Sequence, residues 1–129
     1  MNVPEGLLFT KEHEWVKIEG KRATIGISDY AQASLGDITF VELPQKGSAC
    51  AQFKQVATVE SVKAASEVYT PVSGKVLEVN ADISDKPELI NQSPYDKGWF
   101  AVIEMSSDKE KGALMNSSAY KEYLKEHVQ

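Results

Sequence analysis

One cysteine in 129 residues, Cys50, excludes an internal disulfide framework and fits a reducing compartment. Histidine is almost as scarce. His13 and His127 stand alone, with no Cys or carboxylate cluster at ligand spacing, so the chain carries no metal-site pattern. Basic residues are outnumbered, 14 Lys and Arg against 19 Asp and Glu, which leaves a net charge of −5. No stretch concentrates Lys and Arg, so the electrostatic footprint expected for nucleic-acid binding is missing. No apolar run approaches the ~20 residues needed to cross a bilayer as a helix, and no membrane role is expected. Residues 1–6 show neither a charged-then-apolar signal nor an Arg-rich amphipathic transit pattern. These absences predict a cytoplasmic, bacterial-like chain, or an organellar matrix protein if a presequence has been removed. An acidic surface suits partners with basic docking patches.

What remains is β-rich. With 42% hydrophobic and 26% charged residues the composition is that of an ordinary globule, and its length suits a single domain spanning 1–129. Leu7-Leu8-Phe9, Glu14-Trp15-Val16-Lys17-Ile18 and Arg22-Ala23-Thr24-Ile25-Gly26-Ile27 read as short strands, with Glu19-Gly20 punctuating the last two. The period then changes. Ser28 caps a short helical face of Tyr30, Ala31, Ala33, Ser34 and Leu35 that Gly36 ends. Strand signals resume at 38–43, and again on both sides of Lys63, at 55–59 and 68–76; the stretch 74–80 alternates cleanly. Pro87 opens a single helical turn, 99–105 is another strand, and helical patterns occupy 108–115 and 118–127. Many short strands with closely spaced turn signals predict a mainly β small sandwich or flattened barrel, with peripheral short helices and a C-terminal helix added to it.

The most informative stretch is Glu60-Ser61-Val62-Lys63-Ala64-Ala65-Ser66, one lysine between two strand-like runs with no glycine or proline to make an ordinary tight turn. A lysine is ordinarily a solvated charge. Here its neighbours Ser61, Ala64, Ala65 and Ser66 are small, so an incoming enzyme meets no steric obstruction. Downstream, Gly74 in Pro71-Val72-Ser73-Gly74-Lys75-Val76 permits a sharp turn into the next strand. A primary amine held at a hairpin apex is what an enzyme needs in order to acylate one lysine and ignore the rest.

A hairpin lysine followed by a Pro-Val-Ser-Gly-x-Val run resembles the biotinyl/lipoyl carrier superfamily. Biotin carriers set their lysine between methionines, whereas Val62 and Ala64 flank this one. Further along the chain, His13-Glu14-Trp15, Thr24-Ile25-Gly26-Ile27, Leu35-Gly36-Asp37, Phe40-Val41-Glu42-Leu43-Pro44, Leu89-Ile90-Asn91, Pro94-Tyr95 and Gly98-Trp99 are similar to the glycine cleavage H-protein family, in order and over nearly the whole length. That resemblance implies a barrel-sandwich hybrid like that of lipoyl domains. It implies lipoate joined by an amide to Lys63, attached by a separate lipoate-attaching enzyme. It implies a carrier with no catalytic residues of its own, one that serves three enzymes of glycine catabolism and one-carbon metabolism. A P protein decarboxylates glycine, a T protein passes the carbon to tetrahydrofolate, and an L protein, dihydrolipoyl dehydrogenase, reoxidises the dithiol. It also implies that the loaded arm folds back onto acidic groups, with Glu14 as the leading candidate and Glu12 and Glu67 beside it. This chain has Glu12 where relatives carry serine, and Glu67 where many carry aspartate.

Three other readings stay open on the residues. A lipoyl or octanoyl relay would need the same Lys63. An unmodified interaction module would keep the fold and lose the arm. An enzyme would have to use Cys50, which has no positive charge near it to lower its pKa, or His13, which reads as a packing or orienting residue beside Trp15. Tyr120 and Tyr123 sit at helical spacing and read as core contacts.

Overall fold

The computed structural model describes residues 2–127, and these form two antiparallel sheets around a shared core. The larger sheet runs β1 (Leu8–Phe9), β2 (Glu14–Glu19), β3 (Arg22–Ile27), β9 (Ala101–Met105), β8 (Gly74–Val79) and β5 (Ala49–Cys50), in that spatial order. The smaller runs β4 (Ile38–Glu42), β6 (Gln55–Ser61) and β7 (Ala65–Tyr69). This is the sandwich form of the expected architecture, two separate sheets rather than one closed barrel.

Alternation explains the core. Ala23, Ile25 and Ile27 of β3 point inward, and so do Val59 of β6, Val68 of β7, Val76 of β8 and Ile103 of β9, all of them buried. A second cluster lies under the C-terminal helix α4 (Ser117–His127). There Tyr120, 0% exposed, stacks on Phe9 with centroids 4.4 Å apart, and Trp15 donates its indole N–H to Pro94 O at 2.9 Å. Fully burying such side chains stabilises by about 1.5–3 kcal/mol each.

Helix α1 (Asp29–Leu35) carries the chain from the larger sheet to the smaller. Ser28 Oγ accepts from Ala31 N, and the helix ends where Gly36 N donates to Gln32 O at 3.0 Å. Asn80 caps α2 (Ala81–Asp85) by accepting from Asp82 N, and Pro87 opens α3 (Glu88–Gln92). Two helices therefore stand where the sequence pattern predicts one turn, because Asn80 supplies a cap that the pattern does not weigh. Residues 108–115, expected as helix, contain only a 3-10 turn at Lys109–Ala113.

The strand expected at 68–76 is broken. Residues 70–73 leave the smaller sheet and cross to the larger. Pro71 has no N–H for a ladder, while Thr70 Oγ1 donates to Val72 O at 2.7 Å and accepts from Val72 N at 3.3 Å. Gly74 is needed for a different reason from the turn anticipated. Its backbone presses on the neighbouring strand, and a methyl group there would overlap the carbonyl of Glu104. Gly74→Ala should therefore cost at least about 2 kcal/mol, read as a lowered urea midpoint with an unchanged m-value; a wild-type midpoint would show that the β8–β9 contact relaxes freely.

Candidate functional site: a lysine hairpin and a carboxyl-floored cleft

β6 and β7 pair from Gln55↔Tyr69 to Glu60↔Ala65, with a register shift between Gln55 and Ala57, and carry Lys63 at their apex, exposed. The turn closes without glycine because Ser61 does the work. Its N–H donates to Ala64 O at 2.8 Å, and its hydroxyl accepts the N–H groups of Lys63 at 3.2 Å and Ala64 at 3.1 Å. The tip is fastened sideways as well, since Val62 N donates to Asp37 O at 3.1 Å. Lys63 thus stands on a turn whose backbone is determined locally.

At the other end of β7 lies a cleft of about 490 Å³ lined by Thr10, Glu12, Glu14, Phe53, Tyr69 and Met115, among others. Glu14 lies in its floor, 2% exposed. Its Oε1 accepts a very short hydrogen bond from Thr10 Oγ1, and its Oε2 accepts from Tyr69 N at 3.2 Å. Thr10 belongs to the turn between β1 and β2 and Tyr69 ends β7, so this one carboxyl joins the two sheets. Burial pushes its pKa up from 4.5 to about 7, against the lowering effect of the Thr10 and Tyr69 hydrogen bonds, and the charge of Glu12 adds to the rise.

The other sequence candidates fall around this pair. Glu12 is exposed at the rim, its N–H bonded to Thr10 Oγ1 at 3.2 Å. Glu67 lies outside the cleft on the exposed face of β7, where it accepts from Tyr69 OH at 2.7 Å and so touches the cleft wall only through that ring. His13 is a packing residue, set among the rings of Tyr30, Tyr120 and Tyr123. With φ of 73° it turns its ring toward the C-terminal helix, where Nδ1 lies 2.8 Å from Tyr120 OH, and burial lowers its pKa. Tyr120 is a core contact as expected, and Tyr123 is half-buried against the same cluster. Burial pushes the Cys50 thiol up, which keeps it protonated.

Sequence reasoning missed Thr10, Tyr69, Phe53 and Met115. Thr10 carries a local signal, a hydroxyl able to accept backbone N–H groups two and four residues on, but the cleft joins segments far apart in sequence and no spacing announces it.

Two sheets around one core, with a lysine hairpin projecting from the smaller, form the architecture of the biotinyl and lipoyl carrier domains. Comparison with known proteins narrows the class. The family model for the glycine cleavage H-protein matches residues 7–127. The chain is 52% identical over 126 residues to the glycine cleavage system H protein of Halothermothrix orenii, covering 98% of each, and 51% identical over 123 residues to that of Stenotrophomonas maltophilia, covering 95% of this chain and 94% of the relative. The crystal structure of a glycine cleavage system H protein from Mycobacterium marinum superposes with a TM-score of 0.86 at 31% identity, covering 98% of this chain and 100% of the other. The chain belongs to the glycine cleavage H-protein family.

The raised pKa of Glu14 gives stability a pH dependence of definite sign. The neutral carboxyl is the form the fold favours, so its contribution is complete below pH 4.5 and is lost as pH rises through about 7. That shift corresponds to roughly 3 kcal/mol. Chemical denaturation from pH 5 to 8 should show this loss in the wild type and a flatter profile in Glu14→Gln; equal slopes would contradict the assignment.

Proposed function

We propose that this chain, acting as one carrier domain, is the lipoyl carrier of a glycine cleavage system, with the lipoyl group in amide linkage to Lys63 Nζ. The observation that carries the reading is the pairing of an exposed hairpin lysine with a carboxyl-floored cleft at the base of the same hairpin. When attached, the group would supply a strained cyclic disulfide that is reduced as it takes up glycine's aminomethyl carbon, and whose dithiol the L protein reoxidises once the carbon has passed on. The chain's own residues present, shelter and release; none makes or breaks a bond in those steps.

The residues present suit such a group. Lys63 is exposed, and small side chains surround it. At about 3.3 Å per residue, the distance from Lys63 to Tyr69 is roughly 15–20 Å, comparable with a lysine side chain lengthened by a lipoyl chain and folded back along β7. Phe53 and Met115 offer apolar surface for the arm, and Glu14 offers a hydrogen-bonded carboxylate for an ammonium. The approaching cation favours the ionised form of Glu14 and so offsets the cost that burial imposes on it. Glu12 adds negative potential at the rim, and Glu67 steadies the Tyr69 ring. The uncharged chain of a lipoyl or octanoyl relay would have no use for that carboxylate, so the cleft favours the shuttle over the relay.

As partners we propose the P, T and L proteins and a lipoate-attaching enzyme, each approaching an acidic chain of net charge −5. The bacterial sources of the relatives support a cytoplasmic setting, and no helix among the described residues is long and apolar enough to cross a membrane.

Intact-mass measurement after incubation with lipoate and the attaching enzyme tests the assignment. A single lipoyl increment should appear on the wild type and be absent from Lys63→Arg. An increment that survives Lys63→Arg, or none on the wild type, would sink it. Glu14→Gln should accept lipoate normally, yet the loaded arm should lose ammonia to water about tenfold faster, because a charge-assisted hydrogen bond worth about 1.5 kcal/mol or more is gone.

A further inference from the structure

The motif Leu89-Ile90-Asn91 has no part in the cleft, yet its asparagine is fully committed. Asn91 Oδ1 accepts from Ile38 N at 3.0 Å, and Nδ2 donates to Gly36 O at 2.8 Å and to Gln32 Oε1 at 2.9 Å. One side chain therefore grips both ends of the segment from Gly36 to Ile38. That is the segment on which the hairpin tip rests, since the Asp37 carbonyl between those two grips receives Val62 N. Helix α3 holds the asparagine in place through Ile90, which is 0% exposed.

Gly36 supplies the surface. It sits at φ +78°, and a methyl group on it would lie 3.2 Å from Lys63 Cε, 3.9 Å from Nζ and 4.0 Å from Val62 Cγ2. The lysine stem does not stand free in solvent. It lies over the bare backbone of Gly36, just past the end of α1, where the absence of a side chain leaves room for it.

We propose that Asn91 and Gly36 are positioning residues for the acylation of Lys63: together they build a fixed seat that restricts the unmodified side chain and aims its amine at the lipoate-attaching enzyme. The inference rests on the reading of Lys63 as the attachment point. In the reaction, Nζ attacks the acyl carbon of an activated donor, a lipoyl-adenylate mixed anhydride. The C–N bond forms, the bond to the phosphate oxygen breaks with its electron pair leaving on the nucleotide, and the amine's protons in excess of the amide N–H pass to solvent. The product carries a long acyl chain that extends beyond the Gly36 surface, and the finished arm leaves the seat.

Steady-state transfer from preformed lipoyl-adenylate by the attaching enzyme, with the carrier concentration varied, tests this. Asn91→Ala and Gly36→Ala should each lower kcat about tenfold, the scale expected for a misaimed reactant, while KM for the carrier stays within about twofold. Gln32→Ala, which leaves the grip on Gly36 and Ile38 intact, should match the wild type. Wild-type kcat in both folded variants, or a change confined to KM, would overturn the proposal. Should both variants fail to fold, the wild type still decides: a nuclear Overhauser effect between the Lys63 Cε protons and the Gly36 Cα protons should be present before acylation and absent after it, and its absence beforehand overturns the seat. Failure of the underlying reading looks different, because the wild type would then gain no mass, or Lys63→Arg would gain it too.

Discussion

A carboxyl that belongs to both sheets organises the functional end of the molecule. Glu14 accepts a hydrogen bond from the Thr10 hydroxyl in the turn of the larger sheet and another from the backbone N–H of Tyr69, the last residue of β7 in the smaller. A buried carboxylate without such donors would be prohibitively costly, and one with a full set would ionise at low pH. With these donors and almost complete burial it lies between those limits, at about 7. The same two bonds fix the base of the lysine hairpin relative to the rest of the sandwich. The relation between cleft and apex is thereby a property of the fold rather than of a mobile loop.

The apex is determined with equal economy. A glycine turn at Lys63 would have been tight but floppy, and an ordinary loop would have spread the amine over many positions. Ser61 instead holds the N–H groups of Lys63 and Ala64, and the tip leans on the Asp37 carbonyl. Below the turn, Val59 and Val68 point into the core from paired strands. Hydrogen bonds thus hold the hairpin backbone on both sides of the lysine.

Much of this was legible in the chain. The bounds of β3, the Ser28 cap, the Gly36 stop and the lysine between two strands follow from local pattern and cap chemistry, because the interactions that determine them lie within a few residues. The rest depends on contacts distant in sequence. The two-residue β5 has too few positions to alternate, and α2 depends on an asparagine that also binds the Lys97 and Trp99 carbonyls across a loop. The need for glycine at 74 comes from the carbonyl of a strand thirty residues away. Glu14 could be singled out through resemblance, but its burial, its Thr10 and Tyr69 partners and the cleft itself arise only when three segments meet. His13 shows the same limit: it reads as a packing residue beside Trp15, and its left-handed backbone places that packing against Tyr120.

A carrier has to hold its cargo firmly enough to exclude water and loosely enough to surrender it to the next enzyme. A fully exposed carboxylate would hold an ammonium weakly, because water screens the pair. A deeply buried ion pair would hold it at a high desolvation cost and release it slowly. Glu14 lies between these extremes because burial favours its neutral form while the Thr10 and Tyr69 hydrogen bonds favour its ionised one. On the proposed shuttle reading, when the cation leaves, the carboxyl can take up a proton near neutral pH instead of remaining as an unpaired buried charge. Proton uptake thus lowers the energy of the emptied cleft, and the release step does not have to strand a charge. On that reading, burial set against two hydrogen bonds is what would make the site reversible.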